Sequence, residues 1–264
     1  MDSRPIGIFD SGIGGLTVVK EIRKELPNES LIYIGDTARV PYGTRSRETI
    51  NYFAKDLAYK LLANNVKALV VACNTISSTF LPTLKKLSTV PVIDVIGPTV
   101  QEAVKETKTG KIAVIGTTAT IKSKAYELLA KMVAPQITVT SLHTPLFVPI
   151  IEEGLFDHAV VDLMIKSYLT PLKKDKFTDT LILGCTHYPL IKEKIQEFLG
   201  KRITVLDSAK PTALALKQLL FHHNLLSANP STTQIYFTSD DPSKSATIAK
   251  EFLGEEVKID KIDL

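Results

Sequence analysis

Ala68-Leu69-Val70-Val71-Ala72-Cys73-Asn74-Thr75 and Thr180-Leu181-Ile182-Leu183-Gly184-Cys185-Thr186-His187 decide the reading of this chain. Each is an apolar run closed by a small residue, then a cysteine, then two small or polar residues. The 264-residue chain has only two cysteines, and they stand at equivalent places in these two passages. A buried strand that stops at a reactive side chain is how open α/β sheets present chemistry, because ligands bind beyond the carboxyl ends of the strands. Two matched thiols suit a reaction that needs one acid/base group on each side of a substrate.

Outward from these passages, strands and helices alternate. Pro5-Ile6-Gly7-Ile8-Phe9-Asp10 reads as a buried parallel strand ending on a carboxylate, and Ser11-Gly12-Ile13-Gly14-Gly15 as a tight turn. Leu16, Val19, Ile22 and Leu26 share one face of a helix that Pro27 stops. A strand over 31–34 leads to Gly35-Asp36 and a turn-rich loop around Pro41-Tyr42-Gly43. After Cys73 a helical segment must kink or end at Pro82, and Val90 to Ile96 is a further strand candidate. The pattern then restarts with a strand over 111–116, a turn at Thr117-Thr118-Ala119-Thr120, and a loop or helix start that carries Glu152 and Glu153. The tail adds a helix through Leu226, a strand over 234–237 and a helix from Pro242 to Gly254.

The chemistry-bearing residues repeat with the pattern. Asp10 and Gly116 end first strands, Cys73 and Cys185 end later ones, and Asp94 and Asp207 end the strands after those. Each pair is separated by roughly a hundred residues, as a duplicated α/β unit with pseudo-twofold symmetry requires. Coincidence is the alternative, since any α/β chain repeats strand and helix at some period. The expected fold is α/β, with parallel sheets and right-handed crossovers.

Composition narrows the partners. With 44% hydrophobic residues and a net charge of +4, the chain reads as an ordinary globular protein. Its Lys and Arg residues are mixed with Glu and Asp along the predicted helices, which fits solvated faces and no nucleic-acid footprint. No leader-like segment and no run of about twenty apolar residues is present, so no membrane is expected and a cytoplasmic location is. In that compartment the cysteines are expected as free thiols. Gly12-Ile13-Gly14-Gly15 lacks the G-x-G-x-x-G spacing of a dinucleotide site, and fits a turn whose amides hold a carboxylate. His222 and His223 are adjacent in a helix and point apart, and no Cys/His spacing matches zinc. No lysine is singled out for a Schiff base, so a reaction without metal or cofactor is the simplest expectation.

A cysteine between a strand and a helix meets unpaired backbone N–H groups, which are expected to lower its pKa below about 8.5. Each thiol also has an assistant within reach. Asp10 ends the strand expected beside that of Cys73, His187 follows Cys185 by two residues, and Glu152 sits in a loop able to reach either. Alternatives stand beside these readings. Asp10 suits a helix cap, His187 a helix start bonded to backbone, and either thiol a small core residue. Glu152 and Glu153 are not separable on sequence. A cysteine nucleophile with His187 as base, or a two-lobed binder of acidic metabolites, uses the same residues differently.

At these residues the chain resembles the glutamate racemases of the aspartate/glutamate racemase family, cofactor-independent enzymes that supply D-glutamate for bacterial peptidoglycan. The resemblance runs essentially the whole chain. It is carried by Phe9-Asp10-Ser11-Gly12-Ile13-Gly14-Gly15-Leu16, Gly35-Asp36, Pro41-Tyr42-Gly43, Ala72-Cys73-Asn74-Thr75, Glu152-Glu153-Gly154 and Leu183-Gly184-Cys185-Thr186-His187-Tyr188-Pro189-Leu190. It implies two pseudo-symmetric lobes with the active site in the cleft between them: residues 1–97 with 208–264, and residues 98–207. It further implies that Cys73 deprotonates the D-enantiomer and Cys185 the L-enantiomer, assisted by Asp10, His187 and Glu152. Asp10, Ser11, Pro41, Tyr42, Gly43, Asn74, Thr75, Thr117, Thr118, Thr120, Thr186 and His187 would bind glutamate. Members pair in more than one way, so a homodimer is among the expectations. Ile76 departs from the alanine that commonly follows Cys-Asn-Thr, without removing a reacting group.

Overall fold

The computed structural model describes residues 2–228 and 232–264. Met1 and residues 229–231, which the expected first lobe includes, lie outside them. Among the described residues, ten strands form two sheets. The first holds β1 (Ile6–Asp10), β2 (Leu31–Gly35), β3 (Ala68–Val71) and β4 (Val92–Asp94). The second holds β5 (Lys111–Gly116), β6 (Thr138–His143), β7 (Thr180–Gly184) and β8 (Thr204–Leu206), and the chain then returns to the first with β9 (Gln234–Thr238) and β10 (Asp260–Lys261). β1, β2, β3 and β7 are buried along their whole length. Their near-continuous apolar sequences are what a parallel strand covered on both faces requires.

The strand orders expose the duplication. The first sheet runs β10-β9-β2-β1-β3-β4 and the second β6-β5-β7-β8, every neighbouring pair parallel. With β9 and β10 set aside, the two orders are the same permutation. Asp10 and Gly116 occupy corresponding sheet ends: Asp10 faces Gly35 in register, and Gly116 faces His143.

Both faces of the first sheet are packed. Phe9, Ile34, Leu69 and Val71 meet Leu57, Leu61, Ile76 and Phe80 from the helices Arg47–Ala63 and Asn74–Leu87. Ile6, Ile8 and Val70, on the other face, belong to a core that continues through Ile96, Val100 and Ala213 to Val114 and Leu181 of the second sheet. Each such side chain contributes about 1.5–3 kcal/mol on full burial, so the shared core ties the two sheets into one body. Helices Ile96–Glu106 and Ala209–His222 carry the chain from one sheet to the other and back. Both are started by an aspartate: Asp94 Oδ2 accepts from the amides of Ile96 and Gly97 at 2.9 and 3.1 Å, and Asp207 Oδ1 from that of Ala209 at 3.1 Å.

Several boundaries differ from expectation for local reasons. The strand expected over Val90–Ile96 shrinks to Val92–Asp94 because the Asp94 carboxylate turns the chain into the next helix. The helix after Cys73 continues through Pro82 to Leu87. The expected turn at Thr117 is the capped start of a short helix, Thr118–Lys122, with the Thr117 hydroxyl accepting from the Thr120 amide. The helix expected through Leu226 stops at His222, two residues before Asn224 takes a φ of 54°.

Candidate active site

In each sheet the chain steps to one side of its first strand and then crosses to the other. The point of reversal leaves a crevice beyond the carboxyl ends of the flanking strands, where open α/β sheets bind ligands. In the first sheet these strands are β1 and β3, and they deliver Ser11 and Cys73. In the second they are β5 and β7, and they deliver Thr117 and Cys185. The two crevices face one another, and one cavity is lined by both thiols. Ser11, Pro41, Tyr42, Gly43, Asn74 and Thr75 join Cys73 from one side; Thr117, Thr118, Thr186 and His187 join Cys185 from the other.

Three expected site residues do not face this cavity. Asp10 is fully buried behind it. Its Oδ2 accepts from the Gly15 amide at 2.6 Å and the Thr186 hydroxyl at 3.4 Å, while Oδ1 is buried without a hydrogen-bond partner. The helix-capping alternative is therefore met by one oxygen and leaves the other free. Thr120 is buried, with its hydroxyl 3.2 Å from that of Thr75 and 3.0 Å from that of Thr117. Glu152 lies beyond His187, whose Nε2 is 3.0 Å from Glu152 Oε1. Glu153 is exposed and makes no such contact, which separates the two glutamates.

The thiols sit in different electrostatic surroundings. Cys73 precedes the helix Asn74–Leu87, with its Sγ 3.3 Å from Ser11 Oγ. Burial and the Asp10 carboxylate push its pKa well above the ordinary thiol range, against hydrogen bonds from Ser11 and the Ile76 amide. This corrects the expectation of a lowered value. The helix start does act on the thiol, but complete desolvation beside a negative charge outweighs it.

On the other side, Cys185 Sγ is 3.7 Å from His187 Nδ1. Burial disfavours a charged imidazole, yet Cys185 and Glu152 outweigh it and raise the His187 pKa well above 6.5. Both neighbours thus favour the protonated form of the ring beside the Cys185 sulfur. It is not bonded to backbone as the helix-start alternative supposed. The Phe252 ring meets it edge-on at 5.7 Å, and Gly14 backs it so closely that a Cβ there would fall 2.6 Å from Nδ1. Gly15 similarly backs Asp10, where a Cβ would fall 2.7 Å from the Asp10 Cβ. The glycine turn is therefore a close-packed seam holding a carboxylate, as its sequence suggested.

Three supports had weak or no sequence signal. Asp36 bonds the Tyr42 hydroxyl and is itself held by Arg39 Nε at 2.5 Å and Ser239 Oγ at 2.7 Å. Its place after Gly35, at a strand end and within one of the motifs of the family resemblance, gave it no role at the site. Tyr126 is buried in the second unit and accepts from Asn74 Nδ2 at 2.8 Å, and nothing in its local sequence points to the site. Val148 and Pro149 form an apolar part of the cavity wall. Thr75 and Thr117, 2.9 Å apart through their hydroxyls, join the two units directly. Among the described residues no three His, Cys, Asp or Glu side chains converge as a metal site, and no helix is long and apolar enough to cross a membrane.

Paired thiols at the reversal points of two duplicated sheets define a class that comparison with known proteins identifies. Residues 7–216 match the family model described as Asp/Glu/Hydantoin racemase, and the chain belongs to that family. Within it, the chain is 45% identical over 257 residues to a glutamate racemase of Geobacter metallireducens, covering 96% of this chain and 94% of that one. A crystal structure of a glutamate racemase isoform from Bacillus anthracis superposes with a TM-score of 0.97 at 42% identity, covering 100% of this chain and 99% of that one. The glutamate racemase of Francisella tularensis, solved with D-glutamate, superposes with a TM-score of 0.93 at 40% identity, covering 100% and 98%.

Proposed function

We propose that this chain is a glutamate racemase that interconverts L- and D-glutamate by two-base 1,1-proton transfer and so supplies D-glutamate for peptidoglycan. The observation that carries the reading is the single cavity walled by Cys73 from one sheet and Cys185 from the other. One sulfur, as thiolate, takes the α-proton. The other, as thiol, delivers its own proton to the opposite face of the same carbon. The product is the other enantiomer, and the two sulfurs have exchanged protonation states. Cys73 deprotonates D-glutamate and Cys185 L-glutamate, in line with the family resemblance.

The surroundings supply what the thiols lack. Loss of the α-proton leaves a carbanion beside a carboxylate, and preorganised donors in a dry site lower its energy. Ser11, Asn74, Thr75, Thr117, Thr118 and Thr186 place hydroxyl and amide groups in the cavity, with Pro41, Tyr42 and Gly43 completing the wall. Asp10 keeps one unpartnered oxygen behind the cavity for proton management at Cys73. His187, braced by Glu152, stabilises charge at Cys185. Thr120 acts one step back, by fixing Thr75 and Thr117. No metal or organic cofactor enters this sequence of steps.

The lobes are proposed as residues 1–97 with 208–264, and residues 98–207. Two free cysteines fit a reducing, cytoplasmic setting. Exposed Leu128 and Met132 on the helix Ala125–Val133 fit a homodimer, which light scattering on the purified chain tests.

The deciding experiment is polarimetry on L-glutamate and on L-aspartate without added cofactor, repeated in D2O. Glutamate should lose optical activity and acquire one α-deuterium in the inverted product. Racemisation of aspartate alone transfers the reading to that substrate. Hydrolysis of an ester or amide with no α-exchange makes Cys185 a nucleophile instead.

A further inference from the structure

The cavity between the thiols has no lysine or arginine in its lining, yet the substrate proposed above, on which this inference rests, is an anion. Two further hollows are lined by the cavity's own residues or by their neighbours in the chain, and they carry opposite charge. The first shares Val40 and His187 with it. Glu152, Glu153, Asp240 and Asp241 line that hollow, against Lys244 and the Glu152-paired His187. The second begins at Arg45, next in sequence to the cavity's Thr44, and at Ala119, next to its Thr118. Arg45, Arg47 and Lys122 line this second hollow among serine and threonine hydroxyls, with no carboxylate in the lining.

These three cations are held in reserve rather than consumed by structure. All three are exposed, and none forms a salt bridge among the described residues. Arg47 alone interacts with a carboxylate, that of exposed Glu48 on the same helix turn. By contrast, Arg39 in the same loop is spent on Asp36 and Asp56. A cleft lined by one sign of charge focuses potential and raises the local concentration of a counter-charged solute. We propose that the Arg45–Arg47–Lys122 groove is the mouth through which an anionic amino acid reaches the thiols, while the acidic hollow repels it.

The groove acts on arrival and not on proton transfer, so its signature lies in KM and in salt. Exposed charges are screened over about 10 Å at 0.1 M salt. The test compares the intact chain with the triple variant R45Q/R47Q/K122Q, by glutamate racemisation from about 10 mM to about 500 mM sodium chloride. In the wild type, kcat should hold while KM rises with salt. The variant should show a KM raised about tenfold at low salt, a flat salt profile, an unchanged kcat, and convergence with the wild type at high salt. A wild-type KM in the variant at low salt, or a gap that persists undiminished at high salt, overturns the proposal. The paired variant E153Q/D240N, on the acidic side, should leave KM equal or lower. A rise there matching that of the triple variant places the mouth on the wrong side. A wild type that racemises normally without these responses overturns only the route; one that leaves glutamate untouched overturns the substrate reading as well.

Discussion

Cys73 and Cys185 hold corresponding places in two sheets of the same strand order, but their partners share almost nothing. Cys73 faces a neutral hydroxyl, Ser11, with a buried carboxylate behind it, and its proton is held tightly. Cys185 faces an imidazole whose protonated form is favoured by Cys185 itself and by Glu152 beyond it. Duplication supplied the geometry, two strand ends across a cleft. Divergence of the immediate neighbours supplied the chemistry, a buried carboxylate behind one sulfur and an imidazole beside the other. A two-base racemase needs its two sulfurs to play opposite parts at once, and unlike surroundings distinguish them.

The largest consequence concerns the thiols themselves. Replacing either Cys73 or Cys185 with serine should lower kcat/KM for racemisation by about a hundred- to ten-thousand-fold, with native circular dichroism retained. Near-wild-type turnover in either variant would falsify the two-base mechanism.

The assistants should then distinguish the sides. Asp10→Asn and His187→Asn should each cost about ten- to a hundredfold in kcat/KM. Because the two enantiomers are equal in free energy, that loss is the same in both directions. The difference belongs in the isotope effect with α-deuterated glutamate. It should grow most for the D-enantiomer in Asp10→Asn and for the L-enantiomer in His187→Asn. Equal changes in both variants would mean that the assistants do not serve separate thiols.

The glycine seam offers the same contrast with milder changes. A Cβ on Gly14 meets His187 and Thr186, each at 2.6 Å, whereas one on Gly15 meets Asp10 at 2.7 Å and Ala72 at 3.0 Å. Gly14→Ala should therefore reproduce the isotope pattern of His187→Asn, and Gly15→Ala that of Asp10→Asn, each with about a tenfold loss. Swapped patterns would misassign the seam.

The smallest effect is thermodynamic. His187 has its folded pKa raised above the unfolded value near 6.5, so its stabilisation is full below about pH 6.5 and is lost as pH rises through the folded pKa. Unfolding by urea should show the wild type exceeding His187→Gln most near pH 6, with the gap shrinking by at most about 1.4 kcal/mol per pH unit above that. Cys73 is common to both proteins and cancels. A gap constant with pH would mean that the buried ring is neutral.

The parts of this protein legible in its amino-acid order are those set by short-range rules. Apolar runs such as Ala68–Val71 and Thr180–Gly184 announce strands buried on both faces, and their closing cysteines announce where reactive groups emerge. The repeat of Asp10, Cys73 and Asp94 by Gly116, Cys185 and Asp207 announces the duplication. Tertiary structure alone decided the rest. Asp36 reaches Ser239, Asn74 meets Tyr126, and Glu152 rather than Glu153 meets His187, because chain crossings bring together segments that no local period relates. The direction of the Cys73 pKa belongs to the same group. A helix start can be read from neighbouring residues, but desolvation depends on everything that surrounds the sulfur, and only the folded chain excludes the water.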